Sequence, residues 1–180
     1  MQRDDLLSDN GGFQNRGDIV VSLQNLLITT FLGLIVFVLK KLCTEYWLQI
    51  KAWSGSKEAQ YQLGDNLRRG LNGSAIDRKL AFQYLEKAAK KGHNQAQCSV
   101  GFMCLNGEGT EQNLSKAFYW FDKAASEHGN REALRELGVM YENGIYVTQC
   151  YSKAVDYYRK SARGGNQAAR DALLRLGETW

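Results

Sequence analysis

The sequence predicts an all-α protein, in which a solenoid of helical hairpins follows a single transmembrane helix. Three observations support this fold class. The 180 residues include 18 glycines and no proline, a composition that favours helices ended by short glycine turns. Small residues recur every 37 positions over most of the chain, and the uncharged stretch IVVSLQNLLITTFLGLIVFVL begins at residue 19.

The uncharged stretch is about 21 residues long, which is enough for a helix to cross about 30 Å of hydrocarbon. Asp18 and Lys40 flank it. Two other interpretations remain open, although an acidic start argues against a cleavable signal peptide and the purely apolar run 32–39 argues against a buried solenoid helix. The predicted segments are a tail over 1–18, a transmembrane helix over 19–40 and a juxtamembrane linker over 41–56.

Charges on either side of this segment predict its orientation. Lys40, Lys41 and Lys51 follow it, whereas two arginines and four aspartates precede it. The bias places the rest of the chain on the cytoplasmic side, with the periplasmic side still open. Trp47 and Trp53 lie where an interfacial aromatic belt is expected, and packing onto the first repeat is the alternative.

The repeat is the strongest pattern in the chain, and each unit is predicted to be two amphipathic helices, because apolar residues recur three and four apart. A glycine inside each first helix costs about 1 kcal/mol relative to alanine, so we expect a neighbouring helix to approach closely there. The recurring small residues are Ala59, Ala96 and Ala133, then Gly64, Gly101 and Gly138, then Gly70, Gly107 and Gly144.

The turns between helices are also predicted. Each second helix should end at a glycine, and the next helix should begin at an asparagine N-cap. In the third unit Tyr146 replaces Gly109 of the second, and we expect its loop to follow another path because tyrosine tolerates a left-handed backbone poorly. The predicted stops are Gly92, Gly129 and Gly165, and the predicted caps are Asn94, Asn130 and Asn166.

The pattern A-x-x-x-L-G-x-x-Y-x-x-G-x-G followed by K-A-x-x-W-x-x-K-A-A-x-x-G resembles the Sel-one-like repeat, a relative of the tetratricopeptide repeat. The second unit fits best, with Gly107 and Gly109 in its loop and Trp120 in its second helix. The resemblance implies a right-handed α-α superhelix whose first helices line a concave face for a protein or peptide partner. It covers residues 57–180, as units 57–93, 94–130 and 131–166 and a partial, capping unit 167–180.

Two groups of residues are candidates for contacts. The first group belongs to the concave face that the resemblance implies, and the second is a basic cluster that either rests on anionic lipid or is a solvated face. The concave candidates are Tyr61, Asn66, Cys98, Met103, Arg135 and Met140. The basic cluster is Arg68, Arg69, Arg78, Lys79, Lys87, Lys90 and Lys91.

Several classes of function are disfavoured. The net charge of +4 is spread too evenly for nucleic-acid binding. The cysteines form no C-x-x-C pair, and the two histidines, His93 and His128, fall at different turns as solvated residues, so we expect no metal site and no catalytic dyad. Cys98 is expected to be partly exposed. No catalytic or phosphate-binding motif occurs, so we predict neither enzymatic activity nor a cofactor.

The sequence therefore predicts a membrane-anchored scaffold for protein–protein interaction. Two alternatives remain. One is an immunity or inhibitor protein that blocks a secreted toxin or lipase, with its repeats on the periplasmic side. The other is a structural membrane subunit of a larger complex.

Overall fold

A computed structural model describes the backbone of residues 11–179 and the side chains of residues 27–40, 43 and 46–179. This described part of the chain is all α-helical, which confirms the predicted fold class of a helical repeat solenoid. The helices are α1 (Gly11–Trp53), α2 (Lys57–Arg69), α3 (Arg78–Lys90), α4 (Asn94–Asn106), α5 (Leu114–His128), α6 (Arg131–Asn143), α7 (Tyr151–Arg163) and α8 (Gln167–Arg175).

The chain divides into two compact units, one ending at Tyr46 and the other spanning Trp47–Trp180. In the first unit, the large apolar side chains between residues 27 and 39 are 38–67% exposed. No helix offers, in the described residues, an apolar stretch long enough to cross a membrane. The predicted segment 19–40 begins in residues 19–26, whose side chains lie outside the described set, as do residues 1–10 of the predicted tail. The predicted linker 41–56 is helical as far as Trp53.

The second unit begins with the last turns of α1, which pack against α2. Ala52 is 1% exposed and forms a small cluster with Ala59 and Leu63, against which Leu48 also packs. The side-chain amide of Gln60 donates a 3.0 Å hydrogen bond to the carbonyl of Ala52. The end of α1 is therefore part of the repeat core.

A similar contact joins the first repeat, residues 57–93, to the second. There, the amide of Gln97 donates to the carbonyl of Ala89 at 3.4 Å, and Ala89 stands 37 residues after Ala52. The end of α1 thus takes the place of the second helix of a preceding unit. Trp47 and Trp53 are 56% and 88% exposed. The alternative prediction, that these two rings pack onto the first repeat, is therefore wrong.

Each repeat is a hairpin of a first helix (an A helix: α2, α4, α6) and a second helix (a B helix: α3, α5, α7), and α8, the last helix in the described residues, has the register of an A helix. The predicted close approach at the A-helix glycines is confirmed, because a side chain of the partner B helix sits where a Cβ would be. An added Cβ would lie 2.7 Å from Leu85 at Gly64, 2.6 Å from Phe121 at Gly101 and 2.6 Å from Tyr158 at Gly138.

The last A helix differs at this position. Counted from the N-cap of each A helix, Leu174 of α8 corresponds to Gly138 of α6. Its side chain is 60% exposed. Apart from this leucine, α8 keeps the pattern of an A helix, since Ala169 and Leu173 are fully buried in the core.

The caps follow the predicted pattern with one exception. Asn130 and Asn166 are the N-caps of α6 and α8, as predicted. The N-cap of α4 is His93 rather than Asn94, and its Nδ1 accepts the Ala96 N–H at 3.2 Å. Asn94 has another role, since its side-chain oxygen accepts a 2.7 Å hydrogen bond from Asn130.

The third hairpin loop contradicts the predicted change of path. Tyr146 has φ +65°, close to the +69° of Gly109 and the +55° of Asn72 at the same place in the other loops. Its ring lies 5.7 Å from that of Phe118 in the preceding B helix. The loop therefore keeps the left-handed conformation despite the tyrosine, and the contact with Phe118 offsets part of the strain.

Candidate functional site

A cleft of about 460 Å³ lies between the neighbouring A helices α6 and α8. Arg135, Val139 and Asn143 line its α6 side at intervals of four, which places them on one helix face. Asp171 and Arg175 line its α8 side at the same interval. The remaining lining residues are Glu142, Tyr158, Ala168 and Ala172. This cleft is the candidate site for a partner side chain.

Small residues on α8 keep the cleft open. Counted from the N-cap of each helix, Ala168 and Ala172 of α8 correspond to Glu132 and Glu136 of α6. Both alanine side chains stop at Cβ, so they leave volume that a glutamate side chain would occupy. The space is therefore a property of the α8 sequence rather than of the repeat pattern.

The floor of the cleft is a hydrogen-bonded network that joins three helices. Glu142 is 8% exposed, and the Tyr158 hydroxyl donates to its carboxylate at 2.6 Å. Arg175 donates to both carboxylate oxygens, at 2.7 and 3.0 Å. This Arg175 contact, supported by Tyr158, holds the pKa of Glu142 below its ordinary value. Burial, followed by Glu142, raises the pKa of Tyr158. The floor of the cleft therefore contains the negative charge of Glu142, which is already paired with Arg175.

A second carboxylate on α6 has the opposite environment. Glu136 is 6% exposed and pairs with its neighbour Arg135. Burial raises its pKa, and Arg135 opposes that shift only in part. Cys98 of α4 is close enough to be affected, because burial first, and then Glu132 and Glu136, raise its pKa to about 12. The Cys98 thiol is therefore protonated at neutral pH and unreactive.

The six predicted concave residues do not form one surface. Tyr61, Asn66 and Arg135 are half-buried and accessible, whereas Cys98, Met103 and Met140 are 7%, 1% and 1% exposed. The expected partial exposure of Cys98 is thus wrong, and all three buried residues belong to the core cluster. The physical reason is the type of side chain, since Asn66, Met103 and Met140 share one repeat position, 37 residues apart, where the two apolar methionines fill the core and the polar asparagine does not.

Sequence reasoning missed the α8 wall of the cleft and part of the α6 wall. Val139 and Asn143 follow Arg135 at steps of four, and this spacing could have identified them. Asp171 and Arg175 were missed because α8 was treated as a cap. Extending the A-helix register into the last helix would have placed Asp171 at the position of Arg135.

Tyr61 stacks on His93, with ring centroids 4.4 Å apart and planes 20° from parallel. His93 Nε2 lies 3.0 Å from the carboxylate of Glu58, and the histidine side chain is only 11% exposed. The expectation of a solvated turn histidine is therefore wrong for His93. The contact with His93 lowers the pKa of Glu58. His93 thus connects α2 to α4, because its Nδ1 side caps α4.

The seven predicted basic residues are not brought together. Arg78 and Lys79 lie at the start of α3, whereas Lys87, Lys90 and Lys91 lie at its end, roughly 17 Å further along the axis. The three lysines at the end of α3 each contact a nearby group. Lys90 pairs with Glu86 at 2.8 Å, Lys91 donates to the carbonyl of Gly55, and Lys87 lies 5.4 Å from the ring of Tyr84.

The other basic group surrounds the loop between α2 and α3. Arg68 and Arg69 share the carboxylate of Asp65, at 2.9 and 3.2 Å. Arg78 and Lys79 are exposed and form no ion pair with any side chain that the structure describes. A basic surface therefore remains at one end of the first hairpin only.

No group of side chains suited to a metal ion occurs in residues 27–40, 43 and 46–179. The four cysteines are free thiols: Cys43 is exposed, Cys98 and Cys104 are buried, and Cys150 is intermediate. The cleft between α6 and α8 contains no cysteine or histidine. The arrangement is therefore suited to binding side chains through charge and shape.

Comparison with known proteins identifies the repeats. Residues 57–93, 94–128 and 131–166 match the family model of the Sel1 repeat. No curated protein matches the sequence.

Solved structures with the same fold agree with this match. A Sel1 repeat protein from Oxalobacter formigenes is 31% identical, with a TM-score of 0.66 over 73% of this chain and 98% of the relative. A protective antigen of uropathogenic Escherichia coli strains that displays an SLR fold is 31% identical, with a TM-score of 0.69 over 72% of this chain and 27% of the antigen. Helicobacter pylori cysteine rich protein B is 22% identical, with a TM-score of 0.56 over 74% and 93% of the two chains, and shows the fold alone.

Proposed function

Because the chain belongs to the Sel1 repeat family, we propose that its repeat unit is a scaffold that holds a protein partner against the face formed by the A helices. Sel1 repeat proteins are generally protein-interaction scaffolds and are typically non-catalytic. The proposal assigns this chain a specific place for the partner, the cleft between α6 and α8, and a concave A-helix face around it.

The cleft between α6 and α8 is the observation that carries this proposal. Its volume of about 460 Å³ is within the range of sites that hold small ligands, so it accommodates one or two side chains of a partner. Arg135 and Asp171 line it on opposite walls, but Arg135 already pairs with Glu136, as Arg175 does with Glu142. A partner segment with a basic side chain for Asp171 fits this arrangement. On α2, Tyr61 and Asn66 are further proposed contacts, whereas Cys98, Met103 and Met140 act through packing.

We also propose that residues 19–40 hold the chain at a membrane, with the repeats on the cytoplasmic side. Exposed apolar side chains between residues 27 and 39 support this, because a helix that is apolar on all sides has no polar face for water. The tether keeps the scaffold, and therefore its partner, near the bilayer. Sodium carbonate extraction of the full chain tests the tether, and release into the supernatant contradicts it.

Site-specific photo-crosslinking in the full chain tests the scaffold. A crosslinking residue placed at Arg135, Asn143 or Asp171 should capture the same protein. Matched controls at Gln83, Tyr119 and Asp156, which are exposed on the three B helices, should not capture it. Equal capture from both sets contradicts the proposed face, and an Ala172→Glu variant that fills the cleft should abolish capture.

A reporter fusion and a deletion distinguish the two alternatives. An inhibitor with periplasmic repeats requires an active alkaline phosphatase fused after the last residue, whereas a cytoplasmic scaffold leaves that fusion inactive. A structural membrane subunit loses its partner when residues 1–42 are deleted, whereas a scaffold retains the A-face crosslinks. Each outcome supports one function and contradicts the others.

A further inference from the structure

The loop between α2 and α3 exposes large apolar side chains at one end of the first hairpin. This loop runs from the C-cap Gly70 to the N-cap Asp77. Leu71 and Ile76 are 42% and 58% exposed, and Leu80 in the first turn of α3 is 37% exposed. An isolated exposed leucine needs no explanation, but three such side chains around one short loop form a patch.

The other two hairpin loops use this position differently. Ile76 precedes the N-cap of its B helix by one residue, and Gln112 and Gln149 are its counterparts. The Gln112 amide donates to the carbonyl of Leu105 at 2.8 Å. The Gln149 amide makes the equivalent bond to the Glu142 carbonyl at 2.7 Å, so both loops are tied back to their A helix. Ile76 cannot make this bond; its side chain lies over Gly70 instead, and 58% of the residue remains exposed.

The loop between α2 and α3 also differs in charge from the loop between α4 and α5. Arg78 and Lys79 border the first loop without an ion pair to a described side chain, whereas Arg69 pairs with Asp65 at 3.2 Å. The one carboxylate of the loop, Asp77, accepts a 2.9 Å hydrogen bond from the Leu80 N–H. The second loop carries glutamates at the corresponding tip, in the sequence GEGTEQN. The first loop is therefore both apolar and basic, whereas the second is acidic.

Residues 48–52, at the end of α1, pack along α2. Ala52 contacts Gln60 near the start of α2, whereas Leu48 and Leu67, which lies in the last turn of α2, pack against the same cluster. Residues 48–52 therefore run antiparallel to α2. Trp47, the first residue of the unit, is 56% exposed.

We propose that the loop Gly70–Leu80 is a contact site for the surface of an anionic lipid bilayer. Leu71 and Ile76 enter the headgroup region, and Arg78 and Lys79, which form no ion pair with a described side chain, meet the lipid phosphates. Leu71 and Ile76 are exposed side by side on one short loop, and a bilayer accepts small apolar side chains without a complementary shape. Lipid is therefore a better occupant than an acidic protein. The inference rests on the proposed membrane attachment of the chain and adds a second point of contact in the repeat unit.

Hydrogen–deuterium exchange of the full-length protein with vesicles tests the proposal. The vesicles contain phosphatidylcholine alone or phosphatidylcholine with phosphatidylglycerol. Amides of residues 71–76 should exchange at least roughly fivefold more slowly with the anionic vesicles, the effect expected from one close basic residue. Amides of the third hairpin loop, residues 145–149, should be unaffected.

Two variants and one matched control make the result specific. Lys79→Glu and Ile76→Gln should each remove the slowing by anionic vesicles, and Ile76→Gln installs the residue that both other loops carry. Lys116→Glu makes the same change of charge at the start of α5 and should leave the slowing intact.

Each remaining outcome contradicts the lipid site. If the protein floats with the vesicles while exchange in residues 71–76 is unchanged, the loop proposal is wrong and the tether stands. If the protein neither floats nor shows slower exchange, both are wrong. Slowing by soluble polyglutamate but not by anionic vesicles assigns the loop to an acidic protein instead.

Discussion

The hydroxyl of Tyr158 in α7 donates a 2.6 Å hydrogen bond to the carboxylate of Glu142 in α6. In the preceding unit the residues 37 positions earlier are Phe121 and Leu105, which cannot form this bond. Arg175 of α8 completes the contact. The third unit has therefore exchanged an apolar contact for a charged one that also holds the last helix.

This contact leads to a prediction about pH. Because the folded pKa of Glu142 is lowered, its stabilisation is present above the unfolded pKa and is lost as the pH falls through the folded value. Glu142→Gln should therefore destabilise the protein at pH 7, and the difference from wild type should shrink in acid. Urea unfolding at pH 7 and pH 4 measures it. Tyr158→Phe should cost about 1.5–3 kcal/mol, as a buried bond to a charged group.

Glu136 provides the opposite case on the same helix. Its folded pKa is raised by burial, so its contribution to stability is fully present below the unfolded pKa and is lost as the pH rises through the folded value. Glu136→Gln should stabilise the protein at pH 7, and the gain should vanish in acid. Destabilisation by Glu136→Gln at pH 7 would show that its pairing with Arg135 outweighs its burial.

The A-helix glycines should not tolerate a methyl group. Gly101→Ala places Cβ 2.6 Å from the ring of Phe121, so we expect a loss of about 1–3 kcal/mol from overpacking. Gly33→Ala is the control, since nothing lies within 4 Å of its Cβ, and alanine favours a helix by about 1 kcal/mol over glycine. Thermal unfolding followed by circular dichroism compares the two, and equal melting temperatures contradict the close approach.

The end of α1 should be required for the first repeat. Ala52→Glu places a charge at a site that is 1% exposed, whereas Trp53→Glu changes its 88% exposed neighbour. We expect the first variant to lose about 3 kcal/mol or more and the second less than about 0.5 kcal/mol. Hydrogen exchange should become faster in α2 and α3 of the Ala52 variant alone. No change in these helices would remove the end of α1 from the repeat core.

Two loop positions with the same left-handed φ should respond differently to substitution. A Cβ at Gly109 would lie 2.0 Å from the Arg78 carbonyl oxygen, so Gly109→Ala should destabilise the protein by more than about 2 kcal/mol. Tyr146→Gly relieves strain of about 1–2 kcal/mol and loses a ring contact of about 0.5–1.5 kcal/mol. Its net effect should stay within about 1 kcal/mol of wild type by urea unfolding.

Much of the fold could be predicted because the repeated residues are those that particular backbone conformations and close helix contacts require. Gly101 marks a close approach, and Asn130 marks the start of a helix, and both are local properties of the residue. The α6–α8 cleft was not predictable in the same way. It depends on Ala172 standing where Glu136 stands one unit earlier, and alanine in a helix looks like ordinary helix propensity until the register is known.

His93 shows a second limit of sequence reasoning. A histidine beside a terminal glycine is typical of a solvated turn, and the expectation of an asparagine cap pointed to Asn94. The structure instead places its ring against Tyr61, 32 positions earlier in the sequence. Contacts of this range depend on how consecutive hairpins stack, which a single sequence does not specify.

The residue at the eighth position after each A-helix N-cap sets how closely a B helix can pack on that A helix. Gly64, Gly101 and Gly138 let the B helix of the same hairpin pack directly on the backbone of its A helix. Leu174 places a side chain at this position of α8. A helix packed on this face of α8 would meet an isobutyl group where α3, α5 and α7 meet bare backbone. One side chain therefore sets how closely α8 can be approached, and Leu174→Gly would give it the bare surface that the other three A helices present.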